Sequence, residues 1–112
     1  MKKTWRLYTG SDGQSHVEPI DIEKKADWLK GLQTTQISFS VWPKDRFLDW
    51  HPAPRRQYIV NLDAGVKITA SDGENRLIGV GEVILVEDTT GKGHLSDHVE
   101  GKIRHSIFIP VE

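Results

Sequence analysis

The chain has 112 residues and a mass of 12.7 kDa, enough for one domain with a single modest core, and we expect one domain over residues 1–112. Its 15 basic and 16 acidic side chains give a formal net charge of -1, which excludes the strongly basic surface that nucleic-acid binding needs. The absence of cysteine excludes disulfides and thiolate metal sites and suits a cytoplasmic protein, and 37% hydrophobic residues exclude a disordered chain.

Residues 1–33 are predicted to add edge strands and a loop to the domain. Residues 4–8 supply no apolar core for a signal peptide, and no apolar run is long enough to span a bilayer, so we expect no membrane contact. Residues 23–30, closed by Gly31, are the one candidate helix, with Trp28 and Leu29 directed toward a core. A single turn or an ordered loop fits the same residues.

Residues 34–112 are predicted to form the core of an all-β domain, because short runs of Val, Ile, Thr, Trp and Phe alternate with Gly and Pro. Residues 36–42 alternate as in a half-buried strand, with Ile37, Phe39 and Val41 on one face. Further strands are predicted over 58–62, 66–70, 82–86 and 103–109, with a turn at 71–73. The run 83–86 is apolar on both faces and is therefore placed in the middle of a sheet.

Residues 50–57 form the first segment with chemical potential. Two prolines keep it extended, and uninterrupted alternation would place His51, Arg55 and Gln57 on one face. The Arg55 guanidinium matches a carboxylate or a phosphate. The alternatives are a surface ion pair for Arg55 and a packed ring, hydrogen-bonded to the backbone, for His51.

Residues 87–94 form the second segment and follow the central apolar strand. Gly91 and Gly93 flank Lys92, which predicts a tight loop whose backbone can approach a ligand or another strand closely. Thr90, Lys92 and His94 are its candidate ligand contacts. The loop lacks the spacing and the following helix of a phosphate-binding loop, so a nucleotide site is not expected.

The first segment resembles the first signature motif of the cupin superfamily, which reads HxHxxxE and then Gly after six residues. His51 matches the first histidine, Ala53 stands at the second, Gln57 replaces the glutamate, and Ala64-Gly65 falls at the glycine.

The second segment resembles the second cupin motif, a glycine, a strand and then PxGxxH. Gly81 opens this match and the Gly91-Lys92-Gly93-His94 run closes it, while Glu87 stands at the proline and about two extra residues precede the closing run. The resemblance covers about residues 42–110.

The resemblance implies a small jelly-roll, cupin-like β-barrel. Metal-binding cupins of the common type use three histidines and one glutamate, and two of those four positions are changed here. His51, Gln57 and His94 would then form a reduced site for a divalent transition metal, weaker because it lacks the carboxylate charge.

The sequence favours two functions. The first is binding of a small polar or anionic metabolite by His51, Arg55, Gln57, Thr90, Lys92 and His94. The second is a cupin isomerase, lyase or oxygenase with a weak or absent metal, in which His51 or His94 transfers protons and Glu87 or Asp88 supplies a carboxylate if the loop folds back. A structural protein with a vestigial pocket is the third alternative.

A homodimer is also expected. The cupin alignment turns Gln57 and Ile59 inward, which leaves Tyr58, Val60 and Leu62 on the outer face of the strand. These apolar side chains need either another layer of the same chain or a second copy to cover them.

Overall fold

The computed structural model describes residues 2–112 and shows ten strands and two short helical segments. The strands are β1 (Thr4–Thr9), β2 (Ser15–Ile20), β3 (Ser38–Trp42), β4 (Phe47–His51), β5 (Gln57–Asn61), β6 (Val66–Ala70), β7 (Asn75–Ile78), β8 (Val83–Val86), β9 (His94–His98) and β10 (Arg104–Pro110). A 3₁₀ turn over Ile22–Lys24 precedes the single α-helix, α1 (Ala26–Lys30).

The strands form two sheets. The larger sheet has the order β2-β1-β8-β5-β10-β3, and the smaller has the order β4-β9-β6-β7. Neighbouring strands are antiparallel except β1 and β8, which run parallel. The all-β prediction is therefore confirmed, and the architecture is that of a small jelly-roll, cupin-like barrel.

The apolar core lies between the inner faces of the two sheets. Leu7 of β1 and Ile78 of β7 are fully buried, and Trp5, Ile68, Ile84 and Val86 are nearly so. Strand β2 is an edge strand, as expected for the N-terminal segment. Strand β1 instead lies inside the sheet beside β8, so the first strand of the chain contributes core residues.

The central position predicted for residues 83–86 is confirmed. Strand β8 pairs with β1 on one side and with β5 on the other. Its Ile84 and Val86 face the core, and Leu85, on the opposite face, is also fully buried. The turn at 71–73 is confirmed as well: it joins β6 to β7, and Gly73 has a φ of 94°.

The alternation predicted for residues 36–42 is present in β3, but its apolar face is the exposed one. The apolar side chains Phe39 and Val41 point away from the core and are 75% and 60% exposed, whereas Trp42 is buried. Inward-facing Ser40 borders a cavity, so it needs no apolar contact. In this strand the apolar side chains belong to the outer surface of the sheet.

The candidate helix is confirmed only as a short segment. Trp28 of α1 packs edge-on against Tyr58 at a ring-centroid distance of 5.1 Å, on the outer face of the large sheet. Leu29 is 64% exposed and contributes nothing to a core.

Candidate functional site

A cavity of about 440 Å³ lies between the two sheets. This volume is in the range of sites that bind small organic molecules. Side chains from β3, β5, β8 and β10 line one wall, and side chains from β4, β6 and β9 line the other. Most of the wall is apolar, and its polar and charged members are Ser40, Arg46, His51, Gln57, His94, Ser96 and Arg104.

His51 and His94 face each other at one end of this cavity. They are register partners at the end of β4 and the start of β9, and their ring centroids are 4.6 Å apart. His51 Nδ1 is hydrogen-bonded to the carbonyl of Asp49 at 2.7 Å, and His94 Nδ1 to an Asp88 oxygen at 2.6 Å. Because Nδ1 of each ring is engaged, Nε2 is the nitrogen left for a ligand.

Gly93 allows the two histidine-bearing strands to meet. It has a φ of 81°, and a Cβ atom added there would overlap the carbonyl group of His51 and lie 2.5 Å from the nitrogen of Pro52. The predicted close approach of the 91–93 loop to another strand is thus confirmed. The approached backbone is that of His51.

Asp88 anchors His94 from behind. Its side chain is fully buried, and one carboxylate oxygen, Oδ2, accepts hydrogen bonds from His94 Nδ1 and, at 2.8 Å, from the Ser15 hydroxyl. The other oxygen, Oδ1, has no partner among the described residues. A backbone hydrogen bond from Ala53 N to Asp88 O holds the 87–94 segment against the His51 segment. Asp88 is thus the carboxylate that contacts His94, although it does not itself line the cavity.

Three of the predicted ligand contacts come together and three do not. His51, Gln57 and His94 line the cavity. Arg55 was predicted to share their face, but the chain bends at Pro54 and Arg55, so alternation does not continue from His51 to Gln57 and Arg55 is exposed.

Thr90 and Lys92 also lie outside the cavity. Both side chains are exposed, and Lys92 Nζ lies 4.9 Å from the ring centroid of Trp50. Glu87, the other carboxylate considered for His94, instead pairs with Arg6 at 2.7 Å and Arg56 at 2.6 Å. The tight 91–93 loop thus positions His94 while its own polar side chains face solvent.

Two arginines at the opposite end of the cavity were missed by the sequence prediction. Arg104 begins β10 and is the register partner of Trp42, which ends β3, and its guanidinium lies 4.4 Å from the Trp42 ring centroid. Arg46, just before β4, lies 5.2 Å from the same ring. Alternation in 103–109 places Arg104 on the face opposite Ile107. The hydrophobic pattern marks this Arg104 face as the solvent side. No sequence signal therefore pointed to it.

The residues present do not fit a divalent transition metal well. The predicted set supplies two imidazoles and the neutral amide of Gln57, and no group of three His, Cys, Asp or Glu side chains within residues 2–112 is placed to hold a metal ion. The lining contains no carboxylate, while Arg46 and Arg104 bring positive charge to the same cavity and oppose a cation.

No protein family and no curated protein matches this sequence. The structure is similar to a crystal structure of a candidate ethanolamine utilization protein Q from Salmonella typhimurium LT2, with a TM-score of 0.52 and 13% identity, covering 99% of this chain and 96% of that one. At this identity the likeness concerns the fold alone, and it agrees with a small jelly-roll, cupin-like barrel. Neither helical segment within residues 2–112 has the length and apolar character of a membrane-spanning helix.

Proposed function

We propose that this chain is a cupin-type protein that binds a small polar or anionic metabolite in the cavity between its sheets. One observation carries the proposal: the paired imidazoles of His51 and His94, with Gln57, project polar groups into a mostly apolar cavity of about 440 Å³. A mostly apolar wall with a few convergent polar groups is the general composition of a small-molecule site. A cytoplasmic location stays a prediction from the cysteine-free composition.

The test compares two histidine variants on the same strand. His94→Ala removes a cavity group, whereas His98→Ala removes a half-buried imidazole that does not line the cavity, four residues further along β9. Small molecules extracted from natively purified protein are identified by mass spectrometry and then added back in a thermal-shift assay. A ligand at 100 times its dissociation constant stabilises the native state by about 2.7 kcal/mol, on the order of 10 °C in Tm for a domain of this size.

We expect His98→Ala to keep this response and His94→Ala to lose it. Equal responses in the two variants would place the ligand outside the cavity. If neither extraction nor a screen of carboxylates, phosphates and sugars finds a ligand of the wild-type protein, the proposal fails.

The buried contact between Asp88 and His94 favours an enzyme as the second candidate. An imidazole held at Nδ1 by a carboxylate presents Nε2 for proton transfer, and this step needs no metal. His94 Nε2 would take a proton from the bound ligand and return it to the same molecule. The assay follows deuterium incorporation from D₂O into the extracted ligand. Wild-type protein should catalyse it and Asp88→Asn should not, whereas catalysis by both would remove His94–Asp88 from the reaction.

We also propose that the chain forms a homodimer through the outer apolar face, defined as Phe39, Val41, Val60, Leu62 and Ile107. Phe39 and Val60 both pair with Ile107, so these side chains are neighbours across β3, β10 and β5. Helix α1 covers Tyr58, whereas Phe39, Val41 and Leu62 are 75%, 60% and 42% exposed. Adjoining apolar side chains that are this exposed favour an interface with another molecule.

Sedimentation at micromolar concentration tests the dimer with a matched pair of variants. Phe39→Lys introduces a charge into the outer apolar face, and Leu77→Lys introduces the same charge at an exposed leucine of β7 in the other sheet. We expect the first to dissociate the dimer and the second to leave it intact. A wild-type monomer would refute the proposal.

A further inference from the structure

The charge of the cavity lining is entirely positive. Arg46 and Arg104 both line it, and no Asp or Glu does. Among residues 2–112, neither arginine has a carboxylate within ion-pair distance, although the chain carries 16 acidic residues. Surface arginines such as Arg6, Arg56 and Arg76 do have such partners. Among residues 2–112, exposed Arg55 outside the cavity also lacks such a partner, so the distinguishing feature of the cavity is the burial of Arg104.

Arg104 is the more deeply buried of the two arginines. Its residue exposure is 7%, and its buried Nε has no hydrogen-bond partner in the described part of the chain. Burial, and then the charge of Arg46, lower the pKa of Arg104 to about 10. A buried guanidinium without a counter-ion is costly, and stacking on Trp42 returns only part of that cost. The buried charge of Arg104 therefore has no counter-ion within the described part of the chain.

The position of the arginines also limits the shape of a ligand. Gln57 pairs with Pro110 at the end of β10, whereas Arg104 begins that strand. On the small sheet, His51 ends β4 and Arg46 precedes it. The arginine end and the histidine end are thus separated along the strands, and apolar side chains such as Ile59, Ile68 and Ile84 line the space between them.

We propose that Arg46 and Arg104, stacked on Trp42, form an anion subsite that holds the carboxylate or phosphate group of an elongated organic acid, with the body of that ligand along the apolar wall and its far end toward His51 and His94. This assignment rests on the proposed function, because it concerns the same cavity. A planar guanidinium group donates paired hydrogen bonds to a carboxylate or to a phosphate.

The test uses three probes of known chemistry: 3-phenylpropionate, its neutral amide 3-phenylpropionamide, and inorganic phosphate. The first two probes have nearly the same shape and differ in charge. Inorganic phosphate shows whether the subsite binds an oxyanion alone or needs a carboxylate with an apolar body. Binding is followed by thermal shift and by the ¹H–¹⁵N signal of Arg104 Nε, at probe concentrations up to tens of millimolar. We expect the signal to move with 3-phenylpropionate or with phosphate, and the acid to bind at least tenfold more tightly than its amide.

Variants of equal charge change provide the controls. Arg104→Gln should lose the response to anions, and Arg55→Gln, which removes an exposed arginine outside the cavity, should keep it. Without a ligand, Arg104→Met should raise the Tm or leave it unchanged, because it replaces an uncompensated buried charge with an apolar side chain. An arginine kept only for the stability of the fold would instead give a lower Tm.

Three results overturn the anion subsite. The first is the absence of any Arg104 signal change with either anion. The second is a loss of response in Arg55→Gln as large as in Arg104→Gln. The third is equal affinity for the acid and its amide: if both are then lost in His94→Ala, the cavity remains a ligand site and only its anion preference is refuted.

Discussion

Replacing Gly93 by alanine tests the central geometric feature of the site. Gly93 and Gly73 both have positive φ, 81° and 94°, so alanine at either position costs about 1–2 kcal/mol for the left-handed backbone. At Gly73 an added Cβ meets nothing within 4 Å, whereas at Gly93 it overlaps the His51 carbonyl. Gly73→Ala therefore measures the conformational cost alone, and Gly93→Ala measures that cost together with the steric one.

The overlap at Gly93 is with backbone on the neighbouring strand, so no side-chain rotation relieves it. The chain must break the His51–His94 register pair or move the 87–94 segment away from Ala53. We expect Gly73→Ala to lose about 1–2 kcal/mol of unfolding free energy. Gly93→Ala should lose at least about 4 kcal/mol, the size associated with strain in a packed core.

Urea denaturation of the two variants beside wild type measures the difference, and ¹H–¹⁵N spectra report whether the His51 and His94 signals move together. Failure of Gly93→Ala to fold, with Gly73→Ala folded, agrees with the prediction. Equal losses in the two variants would show that β9 does not approach β4 as closely as described. The pairing of the two imidazoles would then lose its structural basis.

Three further predictions concern titration and buried polar groups. The hydrogen bond to Asp12, and then the one to Asp72 against some desolvation, raise the pKa of His16 above 6.5. The contribution of protonated His16 to the free energy of unfolding is therefore complete below pH 6.5 and is lost as pH rises through the raised pKa. His16→Gln should remove this pH dependence from urea unfolding curves. Desolvation raises the pKa of Glu82, but hydrogen bonds from Gly79 and Trp5 outweigh it and lower this pKa below 4.5. The contribution of ionised Glu82 to the free energy of unfolding is therefore present above pH 4.5 and should be lost as pH falls through the lowered pKa. Glu82→Gln should lack this pH dependence. Asp88→Ala leaves two buried donors, His94 Nδ1 and the Ser15 hydroxyl, without an acceptor and should cost about 2–5 kcal/mol by urea unfolding. Ser15→Ala removes one of these donors and should cost much less. Equal costs would refute the role of Asp88 as their shared acceptor.

Local signals were sufficient for much of the fold. The apolar run of β8 has a central place in any sheet because both its faces need cover, and the Asp72-Gly73 turn has its own chemistry whatever surrounds it. The Gly91-Lys92-Gly93 spacing predicted a close backbone approach for a similar reason, since only glycine tolerates both the positive φ and the proximity. These features depend on neighbours in the sequence, which is why the sequence alone determined them.

The facing of β3 and β10 depended on the tertiary structure. Alternation identifies two faces of a strand and assigns the apolar one to the interior, but here Phe39 and Ile107 are on the outer side of the large sheet. The inner side presents Ser40 and Arg104 to a cavity instead of a packed core. A pattern of period two cannot tell a core from an interface, because both bury apolar groups.

The composition of the site was decided in the same way. The resemblance of two sequence segments to the cupin motifs predicted that His51, Gln57 and His94 belong to one site, and all three line the cavity. The sequence did not determine that Arg104 and Arg46 meet on Trp42, because their positions are about 58 residues apart in sequence and only the pairing of β10 with β3 joins them. It also overestimated Arg55, because the bend at Pro54 and Arg55 interrupts the alternation that was expected to continue from His51 to Gln57. The positive charge of the cavity thus results from strand pairing. The sequence around Arg46 and Arg104 contains no local pattern that predicts it.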